Sequence, residues 1–461
     1  MHNSTFSDTI CALATPPGVG AIAVLRVSGP ETFPIVETLF YGHRSGKKLS
    51  DQASHTIHYG TLRDGQTIVD EVLVSLFKAP RSYTREDVIE ISCHGSEFIV
   101  QRILRLLLKN GCRLAQPGEF TQRAFLNGQL DLAQAEAVAD LIASDSEAAH
   151  RAAIHQIRGG FSKEIALLRE QLISFASLIE LELDFAEEDV EFAQRDDLKG
   201  LVTQIQGVLR PLIDSFAVGN VVKNGVATVI AGKPNAGKST LLNALLKEEK
   251  AIVSEIPGTT RDVIEDELMY NGIRFRLIDT AGLRQATDTI EAIGVERTHQ
   301  QLDKAAVIVY LFDVAELMLN ELKTIDDELK TRGTPYLLAA NKVDKVGAEY
   351  LHSLLQSFPH SLVPLQANAG RGLDELLQKL AGFVKTDLTN ATIVTNLRHF
   401  EHLTQTTDAL DRVLTGLEAG ITQDWLALDI RHALYHLGAI TGQITTDDLL
   451  ATIFSKFCIG K

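Results

Sequence analysis

The chain has 461 residues, 45% hydrophobic and 23% charged, an ordinary globular balance with material for two to four domains. Its net charge of −16 excludes nucleic-acid binding by bulk attraction, so any such binding needs a local basic patch. Four scattered cysteines (Cys11, Cys93, Cys112, Cys458) argue against a structural zinc site or a disulfide framework and suit a reducing cytosol.

No lysine or arginine precedes Arg26, so no secretory signal is expected, and no apolar run approaches the roughly 18 residues of a membrane span. The first ~115 residues read as α+β by their periods and turn residues. Strands are predicted at 20–28 and 87–92, and a hairpin over 55–77 turns at Asp64-Gly65. An amphipathic helix is predicted over 96–109, stopped by Asn110-Gly111. Arg102, Arg105, Lys109 and Arg113 give it a basic side, read as a solvated face. From about 117 to 216 the pattern is helical, with apolar residues at three- and four-residue spacing over 130–142 and 165–183. Nine acidic residues between Glu180 and Asp197 read as a solvated helix face and linker. Strands and helices alternate from about 225 to 384, the signature of a parallel α/β sheet. Helical periodicity returns over 397–417 and 424–437.

The α/β stretch carries the chemistry. Residues 232–239 read GKPNAGKS, a complete GxxxxGK[ST] loop between an apolar strand at 226–231 and a helix at 240–246. Asn235, Ala236, Gly237, Lys238, Ser239 and Thr240 would cradle phosphates, Lys238 reaching the β- and γ-phosphates and Ser239 ligating Mg²⁺. Asp279-Thr280-Ala281-Gly282 follows a strand at 275–278. There the Asp suits the Mg²⁺ shell and the Gly N–H suits the γ-phosphate. Thr259-Thr260 lie between these motifs, where a switch threonine meets Mg²⁺. Asn341, Lys342 and Asp344 form NKVD after a strand at 336–340. A carboxylate there accepts from guanine N1–H and the N2 amine, a donor pair adenine lacks. Gln366-Ala367-Asn368 occupies the last loop, where a Ser usually stands in place of Gln366, and Ala367 offers its N–H to guanine O6. Four motifs in the correct order predict a GTPase. The residue after DTAG is Leu283, which cannot orient the hydrolytic water. Nearby candidates are Arg284, Gln285, Asp288 and Glu291.

The chain ends FCIGK. Cys458 has the position of a prenylation cysteine, but Gly460 and Lys461 do not fit that box and no polybasic run assists it, so no lipid is expected.

Outside the GTPase loops, several stretches resemble one family across essentially all 461 residues, the tRNA-modification GTPases called MnmE or TrmE. They are ATPPG at 14–18, LRVSGP at 25–30, EDVIE at 86–90, CHG at 93–95, PGEFTQRAFLN at 117–127, LDLAQAE at 130–136, DDLL at 447–450 and the terminal FCIGK. The resemblance implies a multidomain α/β protein. Its parts would be an α+β folate-binding and dimerising domain at 1–118, an all-α helical domain at 119–222 and 385–461, and an inserted Ras-like P-loop G domain at 223–384.

It further implies a cytoplasmic homodimer that assembles a heterotetramer with the FAD-containing protein MnmG. Together they would place a carboxymethylaminomethyl or aminomethyl group at C5 of the wobble uridine of certain tRNAs. The one-carbon unit would come from 5,10-methylene-tetrahydrofolate, with 5-formyl-tetrahydrofolate as an analogue. By the same resemblance, K⁺ falls to Asn235, Ser254, Ile256 and Thr259, and Mg²⁺ to Ser239 and Thr260. The loop Ser254, Glu255, Ile256, Pro257, Gly258, Thr259, Thr260 belongs to the GTP site, and the catalytic glutamate falls on Glu291. Folate contacts fall on Arg26, Glu90 and Lys461, and on Gln129, where the family often has Lys. Cys458 is implied near the folate pocket, either as a nucleophile of the modification chemistry or as a small packing residue.

Two other readings share part of the pattern. A ribosome-assembly GTPase would carry PNxGKS and TTRD but also a basic RNA-binding domain. A pure nucleotide switch would wait for an activator to hydrolyse GTP.

Overall fold

The computed structural model describes residues 7–42, 48–184, 195–248, 265–279, 305–383 and 392–460. The chain divides into two compact units, one of Met1–Ala143, Ala153–Leu209 and Glu401–Lys461, the other of Ser144–Ala152 and Arg210–Phe400.

The first unit is built on a seven-stranded sheet. Its strands are β1 (Ile10–Leu13), β2 (Ile22–Ser28), β3 (Phe40–Gly42), β4 (Thr56–Asp64), β5 (Thr67–Phe77), β6 (Val88–His94) and β7 (Arg113–Leu114), in the order β3-β4-β5-β6-β2-β1-β7. Among the described residues only the β1–β7 pair of this sheet is parallel. Strict alternation sorts the side chains. Ala23, Leu25 and Val27 of β2 join Ile89, Ile91 and Cys93 of β6 in a core covered by helices α1 (Thr32–Leu39) and α2 (Glu97–Lys109). Val24 and Arg26 therefore face the other way. The expected hairpin turns at Gly65, whose φ is +61°.

Beyond the sheet the unit is helical: α3 (Glu119–Leu126), α4 (Leu132–Ala143), α6 (Gly160–Asp184) and, from the far end of the chain, Gln423–Thr441 and Asp447–Phe454. Two further helices, α5 (Glu147–Ile157) and α7 (Arg195–Asn224), span the division between units.

One buried charge joins sheet and helix. Arg123 of α3 is fully buried. Its guanidinium donates to Asp8 Oδ1 at 2.8 Å, Glu119 Oε1 at 3.0 Å and Glu86 Oε1 at 3.2 Å. Arg113 adds bonds to Glu119 at 2.6 Å and Asp8 at 2.8 Å while remaining exposed, so the solvated basic face expected from the sequence is ion-paired at this end. Burial alone would push the Asp8 and Glu119 carboxyls up. The hydrogen bonds and charges of Arg113 and Arg123 outweigh it and hold both below the usual carboxylate range.

The second unit carries a six-stranded sheet, β13-β12-β11-β8-β10-β9. Its strands are β8 (Val226–Ala231), β9 (Glu265–Tyr270), β10 (Ile273–Asp279), β11 (Val307–Asp313), β12 (Tyr336–Asn341) and β13 (Leu362–Pro364). All pairs are parallel except the β9–β10 hairpin. The parallel strands are buried on both faces, so β8 reads VATVIA and β11 reads VIVYLFD without alternation. Ligand loops gather at the carboxyl ends of such strands.

The buried cluster generates a stability prediction. Arg123→Met takes the buried guanidinium from Glu86, Glu119 and Asp8, of which Arg113 still holds the last two, and is expected to destabilise the first unit by about 3 kcal/mol at neutral pH, read from the first transition in urea by circular dichroism. Because the Asp8 and Glu119 values are lowered by folding, their contribution is full above the ordinary carboxylate range and is lost as pH falls through the lowered values. The wild-type midpoint should therefore drop below about pH 4.5, and the variant, which keeps Arg113 on both carboxylates, should retain a weakened form of that acid dependence.

Candidate functional site

The chain leaves β8 at Ala231, turns through residues 232–237 and enters helix α8 (Lys238–Glu248). Gly232 has φ +149°, and a Cβ there would collide with the Leu311 carbonyl. Gly237 has φ +100°, and a Cβ would lie 2.5 Å from the Asn341 amide nitrogen. Only glycine fits either position. Asn235 sits between them in the left-handed region at φ +64°. Lys238 folds over the loop, its Nζ donating to the Gly232 carbonyl at 2.8 Å and the Lys233 carbonyl at 3.0 Å. Ser239 and Thr240 are exposed in the first turn of the helix, where N–H groups and the helix dipole favour an anion. An exposed serine hydroxyl there is an oxygen donor of the kind Mg²⁺ takes.

Asn341, at the end of β12, fastens this loop to the base-reading side. Its buried amide donates to the Ala236 carbonyl at 2.8 Å and accepts the Ala367 N–H at 3.1 Å. Ala367 was expected to offer that N–H to guanine O6. Here that N–H donates to Asn341 Oδ1. Asp344 is exposed, its carboxylate open to a base. The last loop does not need the usual serine. Gln366 N–H donates to the Arg371 carbonyl at 3.0 Å and Arg371 N–H donates back at 3.3 Å, closing the loop by backbone alone.

Lys342 (φ +62°) reaches two ways, to the Asn235 carbonyl at 3.0 Å and to Asp313 Oδ2 at 2.7 Å. Asp313 ends β11 and was not singled out from the sequence, because no motif pattern covers it. Burial opposes its ionisation, but the Lys342 hydrogen bond, the Ala315 N–H and the charges of Lys342 and Lys345 hold its carboxyl below the usual range. Asp279 ends β10 beside Ile230 of β8, so its backbone stands next to the strand that feeds the phosphate loop. Ser254, Glu255, Ile256, Pro257, Gly258, Thr259, Thr260, Thr280, Ala281, Gly282 and Glu291 lie outside the described residues.

The first unit holds a second constellation. Arg26 and Glu90 are direct cross-strand partners in β2 and β6. Arg26 Nε and Nη2 both donate to Glu90 Oε1, at 2.9 and 2.8 Å. The guanidinium lies 5.4 Å from the Tyr83 ring centroid and 5.5 Å from that of Phe120. The C-terminal tail closes on it: Arg26 Nη1 donates to the Gly460 carbonyl at 3.3 Å, and Gly118 N–H donates to the Cys458 carbonyl at 3.3 Å. Gly460 is at φ +95°, and a Cβ there would collide with the Leu13 carbonyl, so the tail requires glycine at that point. The Cys458 thiol is exposed. A guanidinium, a carboxylate and the partly exposed Tyr83 ring form a polar and stacking set suited to a planar heterocycle, with the Phe120 ring buried beneath the guanidinium. Gln129 is exposed and accepts from Arg85 Nε at 3.0 Å. Lys461 lies outside the described residues.

Two family models match the chain: the MnmE helical domain over residues 132–458 and the GTP-binding protein TrmE N-terminus over residues 9–129. A protein of Cytophaga hutchinsonii named tRNA modification GTPase MnmE is 56% identical over 459 residues, covering 99% of this chain and 98% of that one. Proteins of the same name from Flavobacterium psychrophilum and Christiangramia forsetii are each 52% identical, covering 99% of this chain and 100% and 99% of theirs.

If the Asn341 amide joins the phosphate and base loops, Asn341→Ala loosens both at once. GDP affinity by fluorescence titration is expected to fall more than tenfold while the circular dichroism spectrum stays unchanged, since breaking two bonds of roughly 1 kcal/mol each also frees the loop.

Proposed function

The chain belongs to the tRNA modification GTPase MnmE family, and from that membership we propose that it spends GTP hydrolysis on modifying tRNA, at C5 of a wobble uridine. In this reading a cytoplasmic homodimer works in a heterotetramer with the FAD-containing protein MnmG. It adds an aminomethyl or carboxymethylaminomethyl group whose one-carbon unit comes from 5,10-methylene-tetrahydrofolate.

The observation that carries the reading is that one chain holds both constellations: a nucleotide cradle closed by Asn341, and the Arg26–Glu90 pair capped by its own C-terminal tail. A GTPase of general type needs only the first. The Arg26–Glu90 set suits a pterin-like ring, and the family resemblance adds Lys461 as a contact.

The roles at the nucleotide follow from side-chain chemistry. Lys238 exchanges two loop carbonyls for phosphate oxygens, a stronger, charge-assisted pairing. Asp344 accepts the two guanine N–H donors. Ser239 and Thr260 would hold Mg²⁺, and Asn235 with Ser254, Ile256 and Thr259 would hold K⁺. When bound, these ions supply positive charge beside the transferring phosphate. Glu291 orients and polarises the attacking water, the task Leu283 cannot do. The exposed Cys458 thiol is free to act in the modification step and has no part in hydrolysis.

Two outcomes are expected. GTP turnover by the purified chain needs K⁺, is not supported by Na⁺, and falls about 100- to 1,000-fold in Glu291→Ala with GDP binding retained. Equal rates in the two salts would remove the cation role from Asn235. Cys458→Ser leaves GTP turnover within about twofold, since no GTP step uses the thiol, but lowers wobble-uridine modification in cells, measured by nucleoside mass spectrometry. Wild-type modification in that variant would reduce the cysteine to a packing residue.

A further inference from the structure

Asn235 is held by a cation. The Lys342 ammonium lies 3.0 Å from its backbone carbonyl, locking the residue in the left-handed conformation at φ +64°. Among the described residues no hydrogen bond of the Asn235 side-chain amide is found, and the residue is exposed. Its amide oxygen is a hard, neutral donor of the kind that takes an alkali cation. A second positive charge beside it would be repelled by Lys342 unless something cancels that ammonium.

Asp313 is placed to do so. Its side chain is 2% exposed, with Oδ2 2.7 Å from Lys342 Nζ and 3.5 Å from Lys345 Nζ. Oδ1 accepts the Ala315 N–H at 3.0 Å, which fixes the carboxylate at the end of β11. Among the described residues the charges bonded here are one buried carboxylate and two ammonium groups, with exposed Asp344 beside them; in the loop itself Lys233 pairs with Glu321 at 3.2 Å and Lys238 is bound to two loop carbonyls.

We propose that Asp313 is a positioning and charge-compensating residue of the nucleotide site: through Lys342 it holds Asn235 in place, and by cancelling the lysine it lets a monovalent cation bind there. This rests on the reading that Asn235 takes K⁺. The prediction is electrostatic and has a sign. Removing the negative charge weakens K⁺ binding, and removing one of the lysine charges strengthens it.

The test is thermal unfolding of the full chain with a non-hydrolysable GTP analogue, titrated with KCl at constant ionic strength held by choline chloride. Binding of K⁺ to the folded state raises Tm, and the half-point of the rise reports its affinity. Asp313→Asn is expected to raise the half-point about three- to tenfold, the effect of one unit charge several ångströms away at intermediate dielectric. That change should exceed any change in nucleotide affinity at saturating KCl. Asp313→Glu should restore the half-point. Lys345→Gln, a surface change that leaves the Asp313–Lys342 bond intact, is expected to lower it about twofold. It keeps the test decisive if Asp313→Asn does not fold. A wild-type half-point in both Asp313→Asn and Lys345→Gln, or a rise with Lys345→Gln, overturns the proposal. A wild-type Tm that responds equally to Na⁺ and K⁺ sinks the Asn235 reading itself, and the proposal with it.

Discussion

The side chain of Asn341 donates to the Ala236 carbonyl on one side and accepts the Ala367 N–H on the other. Because the amide is buried, either group left alone would go unsolvated, so the phosphate loop, the NKVD turn and the last loop are bound to one geometry. Gly237 must lack a Cβ because the Asn341 nitrogen occupies that space. Asn235 is in the left-handed region, held through its carbonyl by Lys342. The parallel sheet places all of this at the carboxyl ends of β8, β11 and β12, and those strands are apolar on both faces because helical side chains pack on each.

The first unit uses a different solution to the same difficulty, that of burying charge. Arg123 has no exposure and is surrounded by three carboxylates from residue 8, the segment before β6, and α3. A lone buried guanidinium is costly, and here its geometry fixes how helix α3 meets the sheet. That alignment sets Phe120 under Arg26 and Gly118 under the tail, so the Arg26–Glu90 pair and the C-terminus depend on it.

Much of this was legible in the sequence where the signal is local. The hairpin at Asp64-Gly65, the P-loop between its strand and helix, and the NKVD turn after an apolar strand all rest on short patterns with a direct steric or electrostatic cause. Short elements were missed: β1 is four residues and β7 two, too brief for a period to appear. Helix α1 contains Pro34 and was passed over, although a proline in the first turn is tolerated. Glu90, alternating with Ile89 in its strand, was as compatible with a solvent face as with a ligand, and only the register with Arg26 decides. Asp313, Arg123 and the docking of Gly460 at Arg26 were illegible for one reason. Each is a contact between distant segments, 434 positions apart in the last case, and no spacing rule connects them. The ion pair of exposed Arg113 was illegible for the same reason, since its partner Asp8 stands 105 residues away.

The account joins a GTP-hydrolysing cradle to a tRNA-modifying site in one protein, and the product is where that claim is most exposed. The most direct measurement is mass spectrometry of tRNA nucleosides from cells with the gene deleted and then restored. The account predicts that C5-aminomethyl-type wobble uridines disappear on deletion and return with the intact chain. Persistence of those nucleosides in the deletion strain would contradict it.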